Sequence, residues 1–233
     1  MTNWLDRILY NILPGRCVLC LSPTKRNLDL CIGCELDLPF SRYTCWQCGL
    51  TLPESQELCG RCLTSPPPFL HCFAAFEYRP PIDKMIAQFK NNQQLAFGRV
   101  LSKILAKQYL KQHLRYPDVW VPVPLHKDRL KFRGFNQALE IAKVIAYETT
   151  TPVIGNACSR VKATDEQKQL SSQQRKRNIS GAFVCDTDFQ NVHVGIIDDV
   201  ITTTATVAEL SRVLLKQGAA DVQVACLART PFQ

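Results

Sequence analysis

Two groups of residues in this chain have the types and spacing to do chemistry. The first lies in the stretch 193–207. Asp198 and Asp199 stand side by side after an apolar, β-branched run at 192–197. Thr202, Thr203, Thr204 and Thr206 follow, with only Ala205 among them, before the first bulky side chain at Val207. Carboxylates accept hydrogen bonds from sugar hydroxyls. Loop N–H groups, threonine hydroxyls and the N-terminus of a following helix receive a phosphate. A strand-end Asp pair with hydroxyl caps for the next helix is the plainer reading of the same residues.

The second group is cysteine. Eight of the twelve form four C-x-x-C pairs, Cys17/Cys20, Cys31/Cys34, Cys45/Cys48 and Cys59/Cys62, each starting 14 residues after the last. A C-x-x-C turn aims two thiolates at one tetrahedral ion, and two such turns complete a four-cysteine zinc site. The intervening loops are short and polar, so two structural Zn2+ ions would supply the folding energy that a core cannot. A disulfide framework is the competing reading, but it needs an oxidising compartment and nothing here directs export. The uniform spacing permits neighbouring pairs to share an ion or alternate pairs to interleave, and neighbouring ribbons are topologically simpler. Zinc also lowers the formal charge of +8 by about four, because eight thiolates outweigh two dications. Cys72, Cys158, Cys185 and Cys226 sit in apolar surroundings and read as buried small hydrophobes.

The elements that must position these groups are legible in outline. Residues 192–197 read as a buried strand, and Val207, Leu210 and Leu214 as a helix face ending near Gly218. Upstream, Cys72–Tyr78 reads as a strand. Ile82, Met85, Ile86 and Phe89 mark a helix, and 93–112 a longer one with Phe97, Leu101, Ile104 and Leu105 inward. Lys103, Lys107 and Lys111 recur on another face of that helix as a solvated stripe. Asp118–Pro124 is a second buried strand stopped by prolines. A basic loop from Leu125 to Gln137 follows it, containing Lys127, Arg129 and Arg133, and then a helix with Ala138, Ile141, Ala142, Ile145 and Ala146 on one face. Residues 160–178 carry Arg160, Lys162, Lys168, Arg175, Lys176 and Arg177 without apolar periodicity and read as a mobile basic loop. The final strand is Val222–Leu227.

Ser65-Pro66-Pro67-Pro68 reads as a stiff joint. It divides the chain into 1–65, a zinc-bearing part with an N-terminal helix (Trp4, Leu5, Ile8, Leu9 and Ile12 on one face), and 66–233, an α/β domain. Asp6 and Arg7 interrupt the apolar N-terminus, which has no cleavage site, so it is a poor secretory signal. No apolar run approaches the ~18 residues of a membrane span. Neither export nor membrane insertion is expected, and the expected compartment is the cytoplasm. The charge is uneven: residues 1–70 balance, whereas 127–177 hold eleven Lys and Arg against five Asp and Glu. Polyanionic partners are therefore expected on the C-terminal part.

In open α/β sheets ligands gather at the C-terminal edge of the strands. A basic loop after one strand and an acidic-hydroxyl loop after another suit a ribose bearing several phosphates. Phosphoribosyl pyrophosphate fits, with Asp198 and Asp199 on the ribose, Thr202–Thr206 on the 5′-phosphate, and the 126–133 loop on pyrophosphate with Mg2+.

The chain resembles the ComF/GntX family, competence-associated relatives of type I phosphoribosyltransferases with a double zinc ribbon. The resemblance rests on the C-x-x-C array, the Pro-rich joint, Pro122-Val123-Pro124-Leu125 leading into Arg133-Gly134-Phe135-Asn136-Gln137, and the Asp198-Asp199 loop. Arg160, Thr164, Gln167, Leu170, Arg175, Asn178, Gly181, Ala182 and Phe183 also match. It implies a mostly parallel sheet flanked by helices, a hood over the site, and a role in handling single-stranded DNA during natural transformation alongside other uptake proteins. Asn136 and Gln137 then join the substrate-binding residues. One position departs from the family pattern: Thr204 stands where glycine is expected, and a threonine held left-handed there would cost about 1–2 kcal/mol.

Three functions follow. The first is phosphoribosyl transfer, with Asp198 and Asp199 in the catalytic role. The second is a non-catalytic module binding single-stranded DNA along the basic 127–177 surface, where Phe132, Phe135 and Tyr147 are the few aromatics. The third is a zinc platform for docking a partner protein.

Overall fold

The computed structural model describes residues 15–54, 56–162 and 179–231. The expected N-terminal helix and Lys168, Arg175, Lys176 and Arg177, with Thr164, Gln167, Leu170 and Asn178, lie outside the described residues. In chain order, strands β1 (Gly15–Arg16) and β2 (Pro23–Thr24) form a small antiparallel ribbon, followed by helix α1 (Ile32–Leu36). A second ribbon closes with the bridge Thr44↔Thr51 and helix α2 (Gly60–Thr64). The body begins at β3 (His71–Glu77) and continues through α3 (Ile82–Asn91), α4 (Leu95–Leu110), β4 (Val119–Pro122), α5 (Lys127–Arg133) and α6 (Gln137–Thr149). It is completed by the antiparallel pair β5 (Cys158–Arg160) and β6 (Phe183–Cys185), then β7 (His193–Ile201), α7 (Ala205–Lys216) and β8 (Asp221–Arg229).

Four strands make one all-parallel sheet in the order β3-β8-β7-β4. Val153 adds a single parallel bridge outside Trp120 of β4. The chain therefore leaves β4 through α6 towards Val153, but leaves β7 through α7 towards β8. Right-handed crossovers running in opposite directions put α6 and α7 on opposite faces of the sheet. Burial agrees with the expected helical faces: Leu101, Ile104 and Leu105 of α4, Ile141, Ala142 and Ile145 of α6, and Val207, Leu210 and Leu214 of α7 are all buried. Cys72, Cys158, Cys185 and Cys226 are buried too.

Three local expectations need correction. The 193–201 strand does not stop before the carboxylates but carries them, because Asp198 and Val200 stay in register with Cys226 and Ala228 of β8. The segment after β4 is not simply a loop: His126 accepts the Asp128 N–H as an N-cap, and Gly134, at φ 79°, returns its N–H to Leu130 O, so the basic residues lie on α5. The lysine stripe of α4 is not merely solvated. Lys103 Nζ donates to Asn27 O at 2.9 Å, and Lys107 pairs with Glu35, which also pairs with Arg26. Two of its members thus tie the first ribbon to the body.

The second ribbon is held along the free edge of β3. Phe40 bridges Phe76, Ser41 N–H donates to Ala75 O, Glu77 N–H to Pro39 O, and Cys72 N–H to Trp46 O. An exposed strand edge would present unpaired N–H and C=O groups, and the cysteine-rich segment covers it.

Close approach at the sheet centre has one strict requirement. A Cβ on Gly195 of β7 would lie 2.3 Å from the ring of Trp120, which is fully buried and donates its indole N–H to Thr149 Oγ1. Gly195→Ala is expected to destabilise the protein by about 1–3 kcal/mol, read as a lower urea midpoint. An unchanged midpoint would mean that Trp120 is not packed on this glycine.

Candidate functional site

The divergence of the crossovers after β4 and β7 creates a switch point, the place where an open parallel sheet leaves a crevice outside its strand ends. The segment 123–133 emerges from β4, and 198–206 lies at the end of β7, on the adjacent strand. The two stretches selected from sequence therefore meet at one edge of the sheet.

The carboxylates hold their own backbone. Asp198 Oδ1 accepts the Asp199 N–H at 2.8 Å, and Asp199 Oδ1 accepts the Val200 N–H at 2.6 Å. The remaining oxygen of Asp199 receives Lys90 Nζ at 2.7 Å, from the last turn of α3, in a partly buried ion pair. The Asp198 carboxyl is pushed up to about 7, first by burial and then by the Asp199 charge, against the pull of Lys90 and Arg160.

Arg160 arrives because β5 runs beside the start of α5, with His126 bridged to Arg160. Its guanidinium lies 5.7 Å from the Phe183 ring centroid, within reach of a cation–π contact. Burial, followed by the Arg129 charge, lowers its pKa, while Asp198 opposes the shift. Asp198, Asp199, Lys90, Arg160 and Arg129 thus form one charge cluster. Lys127 is exposed at the outer start of α5. The Arg133 carbonyl accepts Gln93 Nε2 at 3.3 Å, which ties the end of α5 to the turn beside Lys90.

Asn136 spends its amide on structure: Oδ1 accepts the Ala138 N–H and Nδ2 donates to Val123 O. Gln137 is buried, with its Nε2 unpartnered among the described residues. Lys162 donates to Ser180 O at 2.6 Å.

The hydroxyl loop is short and turns directly into α7. Thr204 is the N-cap at φ −72° and ψ 2°, so the position does not require left-handed backbone and the expected strain does not arise. Its side chain makes no capping bond. The first-turn N–H groups of α7 have no i−4 partner, as at any helix start, and together with the hydroxyls of Thr203, Thr204 and Thr206 they offer a set of donors suited to a phosphate.

The cysteines divide between neighbouring pairs. The sulfurs of Cys17, Cys20, Cys31 and Cys34 lie within 4.8 Å of one another, as do those of Cys45, Cys48, Cys59 and Cys62. Within the clusters, Cys20–Cys31 and Cys48–Cys59 are each 3.7 Å apart, close to the ~3.8 Å edge of a tetrahedron with ~2.3 Å Zn–S bonds. In both ribbons the second pair occupies the first turn of a short helix, with Cys31 and Cys59 as N-caps. The Ser22 hydroxyl and N–H bring the Cys20 thiol down to about 6, while burial and neighbouring sulfurs push Cys34 and Cys62 up. Four thiolates this close need a dication, and both sites fit structural zinc.

Two charged residues of the described structure, one in the cluster and one behind it, carry little sequence signal. Lys90 is one lysine at the polar end of an amphipathic helix and gives no periodic signal. Arg229 closes an otherwise apolar strand and is 5% exposed; a charge inside a buried strand was the clue available.

Residues 8–63 match the double zinc ribbon domain. Over 220 residues the chain is 36% identical to the DNA utilization protein YhgH of Salmonella typhimurium, covering 93% of this chain and 91% of that one. It is 32% identical to competence protein F of Haemophilus influenzae, covering 95% and 100%. Competence protein ComFC of Bacillus subtilis is 28% identical over 63% of this chain and 59% of its own. Among solved structures, the purine phosphoribosyltransferase of Pyrococcus horikoshii aligns with 55% of this chain and 69% of its own, at 19% identity and a TM-score of 0.34. That likeness is too slight to bear on ligand or reaction.

Two measurements follow from the geometry. Native mass spectrometry should find two zinc ions per chain, with one lost from Cys34→Ser and the other from Cys62→Ser; a single ion, or none, would contradict the clusters. The Asp198 carboxyl, raised from ~3.9 unfolded to about 7 in the fold, contributes stability that is fully present below the unfolded value. That contribution is lost as pH rises through about 7. Asp198→Asn should therefore flatten the decline in stability between pH 5 and pH 8, and parallel profiles for parent and variant would show that Asp198 is ionised throughout.

Proposed function

This chain belongs to the ComF/GntX family, that of the competence F and DNA utilization proteins, and from that premise we propose that its switch-point crevice binds phosphoribosyl pyrophosphate and serves DNA uptake. The observation that carries the reading is the charge cluster: two carboxylates on β7 meet Lys90 of α3 and Arg160 of β5, with Arg129 of α5 acting on Arg160, beside a helix start that carries threonine hydroxyls and no side-chain cap. Asp198 and Asp199 accept the ribose hydroxyls. Thr202, Thr203, Thr204 and Thr206, with the N–H groups from Ala205 onward, hold the 5′-phosphate. Arg129 and Arg133, with Lys127 at the rim, neutralise the pyrophosphate, and Mg2+ accompanies that group. Lys90 restrains Asp199 until ribose hydroxyls compete for the same oxygen.

Such a site supports transfer of the phosphoribosyl group. Bond cleavage at the anomeric carbon develops positive charge on the sugar and negative charge on departing pyrophosphate. Carboxylates beneath the first and guanidinium groups around the second favour that separation. Isothermal titration calorimetry with phosphoribosyl pyrophosphate and Mg2+ tests the binding. Asp199→Asn should weaken it by at least about tenfold, roughly 1.4 kcal/mol, and Thr204→Gly should leave it within about twofold because no strain is relieved. Absence of heat with the parent protein would refute the reading.

A second reading has its own observation. Phe132 is 90% exposed, on a helix that also presents Lys127 and Lys131 to solvent, whereas Phe135 packs against Phe89. An exposed ring among cations is a stacking platform for an unpaired base, worth about 1–3 kcal/mol. Phe132→Ala should weaken binding of a 20-nucleotide single strand by about fivefold or more. Replacing Lys127 and Lys131 with alanine should lower the slope of log affinity against log salt by about one to two. Equal affinity in all three proteins would remove the platform. No helix among the described residues is long and apolar enough to cross a membrane.

A further inference from the structure

Arg229 has no role in the crevice, yet its guanidinium is the buried cation joining the second cysteine cluster to the hydroxyl loop. Nε donates to Cys48 O at 3.1 Å, while Nη1 donates to Ile201 O at 2.9 Å and Thr202 O at 2.7 Å. Thr230, the next residue, repeats only the loop half of the connection: its N–H donates to Ile201 O and its hydroxyl to Thr202 O. Around this bridge lies a cavity of about 210 Å³, with Cys48, Cys59 and Cys62 on one wall and Thr204 and Ala205 on another. Across that cavity the guanidinium provides a direct hydrogen-bonded link between the knuckle and the loop, beside the longer connection through β3, β8 and β7. The charges complement each other, since one Zn2+ with four thiolates carries a net −2 beside a permanently ionised arginine.

We infer that Arg229 is a positioning residue that couples zinc occupancy of the Cys45/Cys48/Cys59/Cys62 site to the conformation of residues 201–206, so that the second zinc ion, and not the first, sets the loop. The consequence for ligand affinity rests on reading that loop as a phosphate site; the coupling itself does not. By linkage, a ligand that orders the loop must also retain the second zinc ion. An arginine is needed because its planar fork reaches the knuckle carbonyl and the strand-end carbonyls at once, which a lysine cannot do.

The test uses the zinc-loaded full chain and hydrogen exchange read by mass spectrometry over 198–207. Cys62→Ser, which opens the second site, should accelerate exchange of the 201–206 amides at least tenfold, and Cys34→Ser, which opens the first, should not. Arg229→Met should already exchange fast, with no further change on adding Cys62→Ser, while Arg229→Lys should fall between. If Arg229→Met does not fold, the Cys62→Ser and Arg229→Lys results decide alone. Equal protection in Cys62→Ser and parent, or equal acceleration by Cys34→Ser and Cys62→Ser, would overturn the inference. In a separate arm, phosphoribosyl pyrophosphate with Mg2+ should slow release of one of the two zinc ions to a chromophoric chelator at least threefold in the parent and not in Arg229→Lys. Slowing of neither ion despite calorimetric binding would count against the coupling. Absence of calorimetric binding would instead refute the ligand reading and leave the exchange result to stand.

Discussion

The parallel pairing of β4 with β7 is the constraint on which the rest of this structure depends. Two adjacent strands running the same way must end at the same edge, and crossovers that leave in opposite directions cannot fill the gap between them. That gap receives the first residues after each strand. Nothing in the loops needs to find its partner, because the sheet has already placed a cationic helix beside a pair of carboxylates. The requirement reaches into the core, where Gly195 leaves room for the Trp120 ring at the centre of the pairing.

The cluster at that edge mixes carboxylates with cations rather than being simply acidic or basic. Adjacent carboxylates on one strand repel, and burial worsens the repulsion. Lys90 meets one carboxylate directly, Arg160 acts on the other across a longer distance, and the proton held by Asp198 up to about pH 7 removes part of the remaining charge. Counting Arg129, the five groups sum to +1 with Asp198 ionised and to +2 with it protonated, so the empty site is cationic. An anion placed there would offset that excess.

The cysteine-rich part has a second structural task besides holding metal. Its linking segment pairs along β3, its first ribbon is tied to α4 by Lys103 and Lys107, and its second reaches the loop through Arg229. An edge strand that would otherwise invite pairing with another chain is thereby covered. Zinc-driven folding of a segment with little core of its own becomes a means of finishing a sheet built elsewhere in the chain.

What the sequence determined by itself is what depends on local spacing. The C-x-x-C spacing points to metal knuckles, the short β-branched runs at 192–197 and 222–227 to buried strands, and the helical faces at Leu101, Ile141 and Leu210 follow from the ~3.6-residue period of a helix. The ribbon pairing, the length of β7 through its carboxylates, and the helical state of 127–133 were settled by tertiary structure. Each depends on partners distant in the chain or on a cap whose strength no periodicity reports. The same holds for Lys90 against Asp199 and Arg229 against Cys48, since a single charged residue carries no pattern. Their roles exist only because parallel strands bring together segments that lie far apart in the chain.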